Sequence, residues 1–156
     1  MAALDKALSV LPRFILRRHY TQQRLENEVL IDTRTANPID FSLGSSVPTV
    51  HAWFTITNFT TLRWRLRDFS AEIWIGQPIA AVTCQDRPEI QRRRLIPIFA
   101  ESFLNELQVK RLNELKERRA KEYSDNVSIY VNAHLESKVG LINLKPLIEN
   151  RPVSIR

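Results

Sequence analysis

The chain has 156 residues and carries 23 Lys and Arg against 17 Asp and Glu, a formal net charge of +6. That length suits one domain with one core, and the 44% hydrophobic and 26% charged shares exclude a disordered or low-complexity chain. Its single cysteine, Cys84, excludes an internal disulfide and a Cys-pair metal site, and no apolar run reaches the roughly 20 residues that span a bilayer.

Residues 2–18 read as an amphipathic helix, because Leu4, Leu8, Leu11 and Ile15 recur at helical spacing while Lys6, Arg13 and Arg17 fall on another face. Pro12 lies inside that pattern and is expected to end, kink or shorten it. Asp5, Lys6 and Arg13 interrupt the apolar stretch, so it does not resemble a secretory signal. The helix has two readings. It packs on the domain or a partner, or it lies on a membrane with Lys6, Arg13, Arg17 and Arg18 against anionic headgroups. Residues 21–28 are polar and read as a connector, which divides the chain into a helical segment, 1–28, and a single β domain, 29–156.

The period then changes. Val29, Leu30 and Ile31 open a short strand, and Asn37-Pro38 and Gly44-Ser45-Ser46 supply turns. Between Val47 and Thr57, Val50, Ala52, Phe54 and Ile56 alternate with Thr49, His51, Trp53, Thr55 and Thr57, which predicts a half-buried strand. After a turn at Asn58, Leu62, Trp64 and Leu66 oppose Arg63, Arg65 and Arg67. A bulge or register change is expected at residues 68–70, and Ala71, Ile73 and Ile75 then oppose Glu72 and Trp74. Gly76-Gln77-Pro78 turns the chain so that residues 79–84 return as a hairpin partner. Residues 89–99 form the next predicted strand, with Pro97 placing its far end at an edge or terminus.

A long helix is predicted over 102–122, where there is no Gly or Pro and Leu104, Leu107, Leu112 and Leu115 share one face. The pairs Glu106–Lys110 and Glu114–Arg118 have the favourable i,i+4 order. A last strong strand sets Val127, Ile129, Val131, Ala133 and Leu135 against Ser128, Tyr130, Asn132 and His134. Gly140 turns the chain, and residues 141–144 and 153–155 close the fold. Many short strands with one inserted helix point to a sandwich or barrel. Strands and helices do not alternate, which argues against a parallel α/β sheet.

Candidate chemistry is sparse. His19, His51 and His134 share no ligand spacing, Cys84 has no nucleophile signature, and three glycines cannot supply a phosphate-cradling loop. No enzyme activity, metal or cofactor is therefore expected. The sequons Asn58-Phe59-Thr60 and Asn126-Val127-Ser128 are triplets that arise readily by chance. Arg63, Arg65 and Arg67 on one strand face, with Arg92, Arg93 and Arg94, are candidate anionic-surface contacts that suit phosphates or stacked bases. The plainer reading is a solvent-facing strand that needs polar side chains.

The run VHAWFTITNFTTLRWRLRDFSAEIWIGQPIAAV resembles the type-2 late embryogenesis abundant domain, also called the water-stress and hypersensitive-response domain. Asn58 ends a hydrophobic strand, residues 62–66 alternate, Ile73-Trp74-Ile75-Gly76 follows, and Ile79-Ala80-Ala81 returns; the likeness extends over residues 47–155. Phe59 stands where that family usually has Pro, and the charged helix is long for a member. The resemblance implies an immunoglobulin- or fibronectin-III-like β-sandwich of about seven strands with one long inserted helix, no activity and no cofactor. It also implies an association with stress protection and with membranes. The resulting expectation is a non-enzymatic binding or protective protein in the cytoplasm, peripheral to a membrane through its N-terminal helix. The alternatives are a structural or interaction subunit of a larger assembly and, third, a basic nucleic-acid-binding module.

Overall fold

In the computed structural model, which describes residue 7, residues 10–119 and residues 127–156, the alternating stretches become the centre of a mainly β fold. The strands are β1 (Val29–Thr33), β2 (Ile39–Ser42), β3 (Thr49–Asn58), β4 (Trp64–Ile75), β5 (Gln77–Thr83), β6 (Glu89–Ile90), β7 (Arg94–Phe103), β8 (Val127–Ser137), β9 (Gly140–Leu144), β10 (Leu147–Glu149) and β11 (Val153–Ile155). The helices are α1 (Arg13–His19), α2 (Gln22–Glu28) and α3 (Glu106–Arg119).

The strands form an open mixed sheet in the order β10-β8-β4-β5-β7-β3-β2-β11, with β1 on β3, β6 on β4 and β9 on β8. Every pairing is antiparallel except β11 with β2. The path is thin at one point: β5 and β7 meet only at Thr83 and Glu101. On one side of that bridge β3 and β7 run together over ten residue pairs; on the other, β4 lies between β5 and β8. Phe54 of β3 packs on Phe69 of β4, ring centroids 4.9 Å apart, although the two strands share no ladder.

The faces of the long strands follow their residue pattern. Val50, Ala52, Phe54 and Ile56 are buried, as are Leu62, Trp64, Leu66, Ala71, Ile73 and Ile75, and the odd-numbered apolar positions of β8. β4 does shift register against β8, but between Leu66 and Asp68 rather than over residues 68–70, and the shift keeps Phe69 buried while Arg67 and Asp68 stay exposed. Gly76 (φ +70°) and Gly140 (φ +119°) adopt the left-handed backbone that closes the β4–β5 and β8–β9 turns.

Several expectations need correction. The described residues hold eleven strands, not about seven, because β2, β6 and β10 are too short to give an alternation signal. Residues 89–99 are not one strand: Arg93 (φ +51°) breaks them into β6 and β7. Pro97 lies inside β7, opposite Thr55. The long helix starts at Glu106, not residue 102. Ser102 and Phe103 complete β7, and Asn105 and Gln108 cap the helix reciprocally, each backbone N–H donating to the other's side-chain oxygen at 2.9 Å. Leu104 therefore precedes the helix, and Leu107 is exposed while Leu112 and Leu115 face the core. The far end of that prediction, residues 120–122, lies outside the described residues.

The N-terminal segment also differs. Pro12 is the N-cap of α1, and the inward residue is Leu16, fully buried, rather than Ile15. Residues 2–6, 8 and 9 of the predicted helix, Lys6 and Leu8 included, lie outside the described residues. The supposed connector contains α2, started by Thr21, whose hydroxyl accepts from Arg24 N–H at 3.3 Å. Leu16, Tyr20 and Leu25 belong to the same hydrophobic core as the strands.

Candidate functional site

A fully internal polar knot fixes the end of β3. Asn58 and Thr60 are buried. Asn58 Nδ2 donates both its hydrogens, to Leu62 O (2.8 Å) and Gln91 O (3.0 Å), and Asn58 Oδ1 accepts from the Thr60 backbone N–H (2.9 Å) and hydroxyl (2.7 Å). Thr60 Oγ1 in turn accepts from Leu62 N–H (3.1 Å) and Trp64 Nε1 (3.0 Å). Every polar atom of the Asn58 amide is thus satisfied, which is what makes its burial tolerable. The knot ties the β3–β4 turn to β6 and leaves the first sequon with no free amide nitrogen. The second, at Asn126, lies outside the described residues.

The nine candidate cations among the described residues do not form one patch. Arg13, Arg17 and Arg18 sit on α1, where Arg17 Nε donates to Val139 O at 2.9 Å and so ties the helix to the β8–β9 turn. Arg63, Arg65 and Arg67 are exposed on the outer side of β4 and its approach. Arg67 is ion-paired with Glu136, and Arg65 lies in register with both Glu89 and Glu136. Arg92, Arg93 and Arg94 follow β6, which pairs with Trp64 and Arg65, so the topology brings them to the Arg63 end of β4. The arginine face is therefore interleaved with carboxylates.

Two other surfaces are assembled by long-range pairing. On the outside of β1, β3 and β7, the register lines up Leu30, Thr57 and Leu95, then Trp53 and Phe99, then Thr49 and Phe103. Leu95, Phe99 and Phe103 are exposed. The Trp53 and Phe99 rings are 5.5 Å apart, His51 lies 5.4 Å from Phe99, and the Arg34 guanidinium stacks 3.7 Å from the Trp53 ring centroid. His51 also stands 3.6 Å from the Glu101 carboxylate.

On the outside of β4 and β8, Ser70 pairs with Asn132 and Glu72 with Tyr130. Trp74 and Tyr130 approach to 5.3 Å, and Trp74 Nε1 donates to Glu72 at 3.2 Å. These side chains with Lys145 line an open groove of about 360 Å³. A second cleft, of about 370 Å³, lies between β1 and Asn143 and shares Lys145 and Pro146 with the first. Nothing in the sequence pattern singles these residues out, because each is simply the outward member of an alternation; only the pairing of β4, β8 and β9 makes them neighbours.

Among the described residues no three His, Cys, Asp or Glu side chains come together as a metal site, and none of the helices is long and apolar enough to cross a membrane. Burial raises the Cys84 thiol above its ordinary pKa, and the Asp86 charge adds to this, against a lowering hydrogen bond to the Asp86 backbone. That makes Cys84 a poor nucleophile near neutrality.

No protein-family model matches the chain, and no curated protein matches it. Solved structures with a similar fold include the X-ray structure of a Northeast Structural Genomics Consortium target, with TM-score 0.52 and 12% identity over 82% of this chain and 88% of that one. Another is a crystal structure of a protein from Archaeoglobus fulgidus, with TM-score 0.50 and 8% identity over 81% and 94% of the two chains. At such identities the likeness concerns the fold alone.

Proposed function

We propose that this protein is a non-enzymatic binding module that attaches peripherally to anionic membrane surfaces through α1. The observation that carries the reading is the two-sided character of that helix. Leu16 is buried and Arg17 is tied to Val139 O, so one side is fixed to the domain. On the other side Phe14 is 72% exposed, with Arg13 and Arg18 beside it on the helix, and Val10, ahead of the Pro12 cap, is 80% exposed. Exposed apolar side chains beside cations are the arrangement that inserts at a headgroup boundary while the charges meet anionic lipid. The net charge of +6 adds a long-range attraction of the same sign.

The finer architecture in this reading is a β-sandwich, supported by Phe54 against Phe69 and by the thin β5–β7 link. The likeness to type-2 late embryogenesis abundant domains, with its immunoglobulin- or fibronectin-III-like topology and protective role, belongs to the same reading; the buried Asn58 at the end of β3 supports it. Sedimentation with phosphatidylserine-containing and pure phosphatidylcholine vesicles across a salt series tests attachment. Binding to the anionic vesicles that weakens with salt is expected; no binding at low salt overturns the reading.

The second reading, a structural subunit of an assembly, is favoured by one observation: the exposed row of Leu95, Phe99 and Phe103 beside Trp53. Contiguous exposed apolar side chains of this kind mark contact surfaces. Here the mass in solution decides, since a stable oligomer is expected and a monomer at all concentrations opposes it.

A further inference from the structure

We propose that the outer face of β4, β8 and β9 binds an uncharged oligosaccharide, with Trp74 and Tyr130 as its platform. Among the described residues, three buried side-chain polar atoms have no protein hydrogen-bond partner: Asn132 Oδ1, Asn143 Oδ1 and Arg92 Nε. Two of the three are amide oxygens from one sheet face, since His134 pairs with Asn143 one alternation away from Asn132. Each lines a cleft, and the two clefts adjoin at Lys145 and Pro146. Buried polar atoms are nearly always paired, so an unpaired amide oxygen turned away from each of two adjoining clefts marks an amide that a half-turn of the side chain presents to a ligand bringing hydrogen-bond donors to both.

The remaining side chains narrow the ligand's chemistry. The first groove carries one carboxylate, Glu72, and one ammonium, Lys145, whose formal charges cancel, so it selects neither an anion nor a cation. A wholly apolar ligand would strip water from Ser70, Glu72, Asn132 and Lys145 without replacing their hydrogen bonds. A sugar meets each demand. Its hydroxyls donate to Glu72 and Asn132 and accept from Lys145 and Ser70, while its C–H face lies on the indole or phenol ring. The Glu72 hydrogen bond to Trp74 Nε1 fixes the indole beforehand. The grooves are open, and two adjoin, which fits several residues of a chain rather than one enclosed monosaccharide. Their volumes of about 360 and 370 Å³ fall within the range of ligand sites, roughly 300–1,000 Å³.

The test is titration of the full chain with cellohexaose, maltohexaose, xylohexaose and chitohexaose, followed by tryptophan fluorescence and calorimetry, with a polygalacturonate oligomer and inorganic phosphate as charged probes. A saturable response to at least one neutral hexaose is expected. Trp74→Ala should abolish it, and Asn132→Ala should weaken it roughly tenfold, the effect of losing one good hydrogen bond. Trp53→Phe, on the opposite aromatic face, should leave it unchanged. Circular dichroism of each variant separates lost binding from lost folding, and Lys145→Met offers an exposed substitution that leaves the platform intact and should also weaken binding. No saturable response to any neutral hexaose overturns the proposal. So does a response stronger to the charged probes, or one that survives Trp74→Ala and Asn132→Ala in folded protein.

Discussion

Asn58 and Thr60 are bonded to each other twice, the Asn58 Oδ1 accepting from both the backbone N–H and the hydroxyl of Thr60, in a site closed to water. Replacing Asn58 by Ala leaves the Leu62 and Gln91 carbonyls and the Thr60 donors short of partners in a low-dielectric interior. The expected loss is about 2–3 kcal/mol of stability, on the scale of buried groups left unsatisfied. Urea denaturation of Asn58→Ala checks it, with Phe59→Ala, next door and exposed, as the near-neutral control. A value within experimental error of wild type would mean that the knot is not a stabilising unit.

Leu16 and Phe14 are two residues apart on α1 and point in opposite directions. Leu16→Ala should destabilise the fold by about 2–4 kcal/mol, the range for truncating a buried leucine. Phe14→Ser should change stability by no more than about 0.5 kcal/mol, as exposed substitutions do, yet reduce sedimentation with phosphatidylserine vesicles. If Phe14→Ser unfolds the protein, the helix is oriented otherwise than described; if it folds and sediments as before, Phe14 is not the membrane contact.

These two experiments bear on how much of the molecule its sequence makes legible. The faces of β3, β4 and β8 are readable because strict alternation leaves one assignment of inward and outward residues. The N-terminal helix is half readable. Apolar residues stand on both sides of it, so periodicity alone selects Ile15 as readily as Leu16, and only docking against Tyr20 and Leu25 in the core decides. The α2 start at Thr21 carried an N-cap signal that the polar composition of its seven residues masked. The surroundings of the arginines are hidden from the sequence for a related reason. Arginines adjacent in sequence look like a patch, but Glu89 and Glu136 arrive beside Arg65 from β6 and β8, which lie far along the chain.

Asp40 is a buried carboxylate on β2, and its partner is Arg156, which follows the last strand, with Arg156 Nε donating to Asp40 Oδ1 at 3.0 Å. The hydrogen bond and charge of Asp40 raise the Arg156 pKa, so the guanidinium keeps its charge. Arg156→Ala strands a buried charge and should lower the melting temperature clearly. Arg156→Lys should recover only part of the loss, because both Nε and a terminal guanidinium nitrogen meet the carboxylate and an ammonium cannot reproduce that fork. Thermal melts of the two variants decide it, and equal melting temperatures for wild type and Arg156→Ala would remove the pair from the account of stability.

Cys84 gives a pH dependence with a definite sign. Burial, aided by the Asp86 charge, raises its pKa in the folded protein, so above the ordinary thiol pKa of about 8.5 the unfolded chain loses the proton first. In that window the folded state binds more protons than the unfolded state, and stability falls as pH rises. Below it the contribution is fully present. Two measurements follow from the same cause. Iodoacetamide should modify native Cys84 more slowly than the urea-unfolded chain at pH 8, and Cys84→Ser should flatten the fall in stability measured between pH 8 and pH 10. Equal alkylation rates in the folded and unfolded protein would show that the thiol feels neither the burial nor the Asp86 charge. In that case the loop from Cys84 to Pro88 would have to stand away from Ile98 and Phe99 of β7, the residues that share a cleft with it.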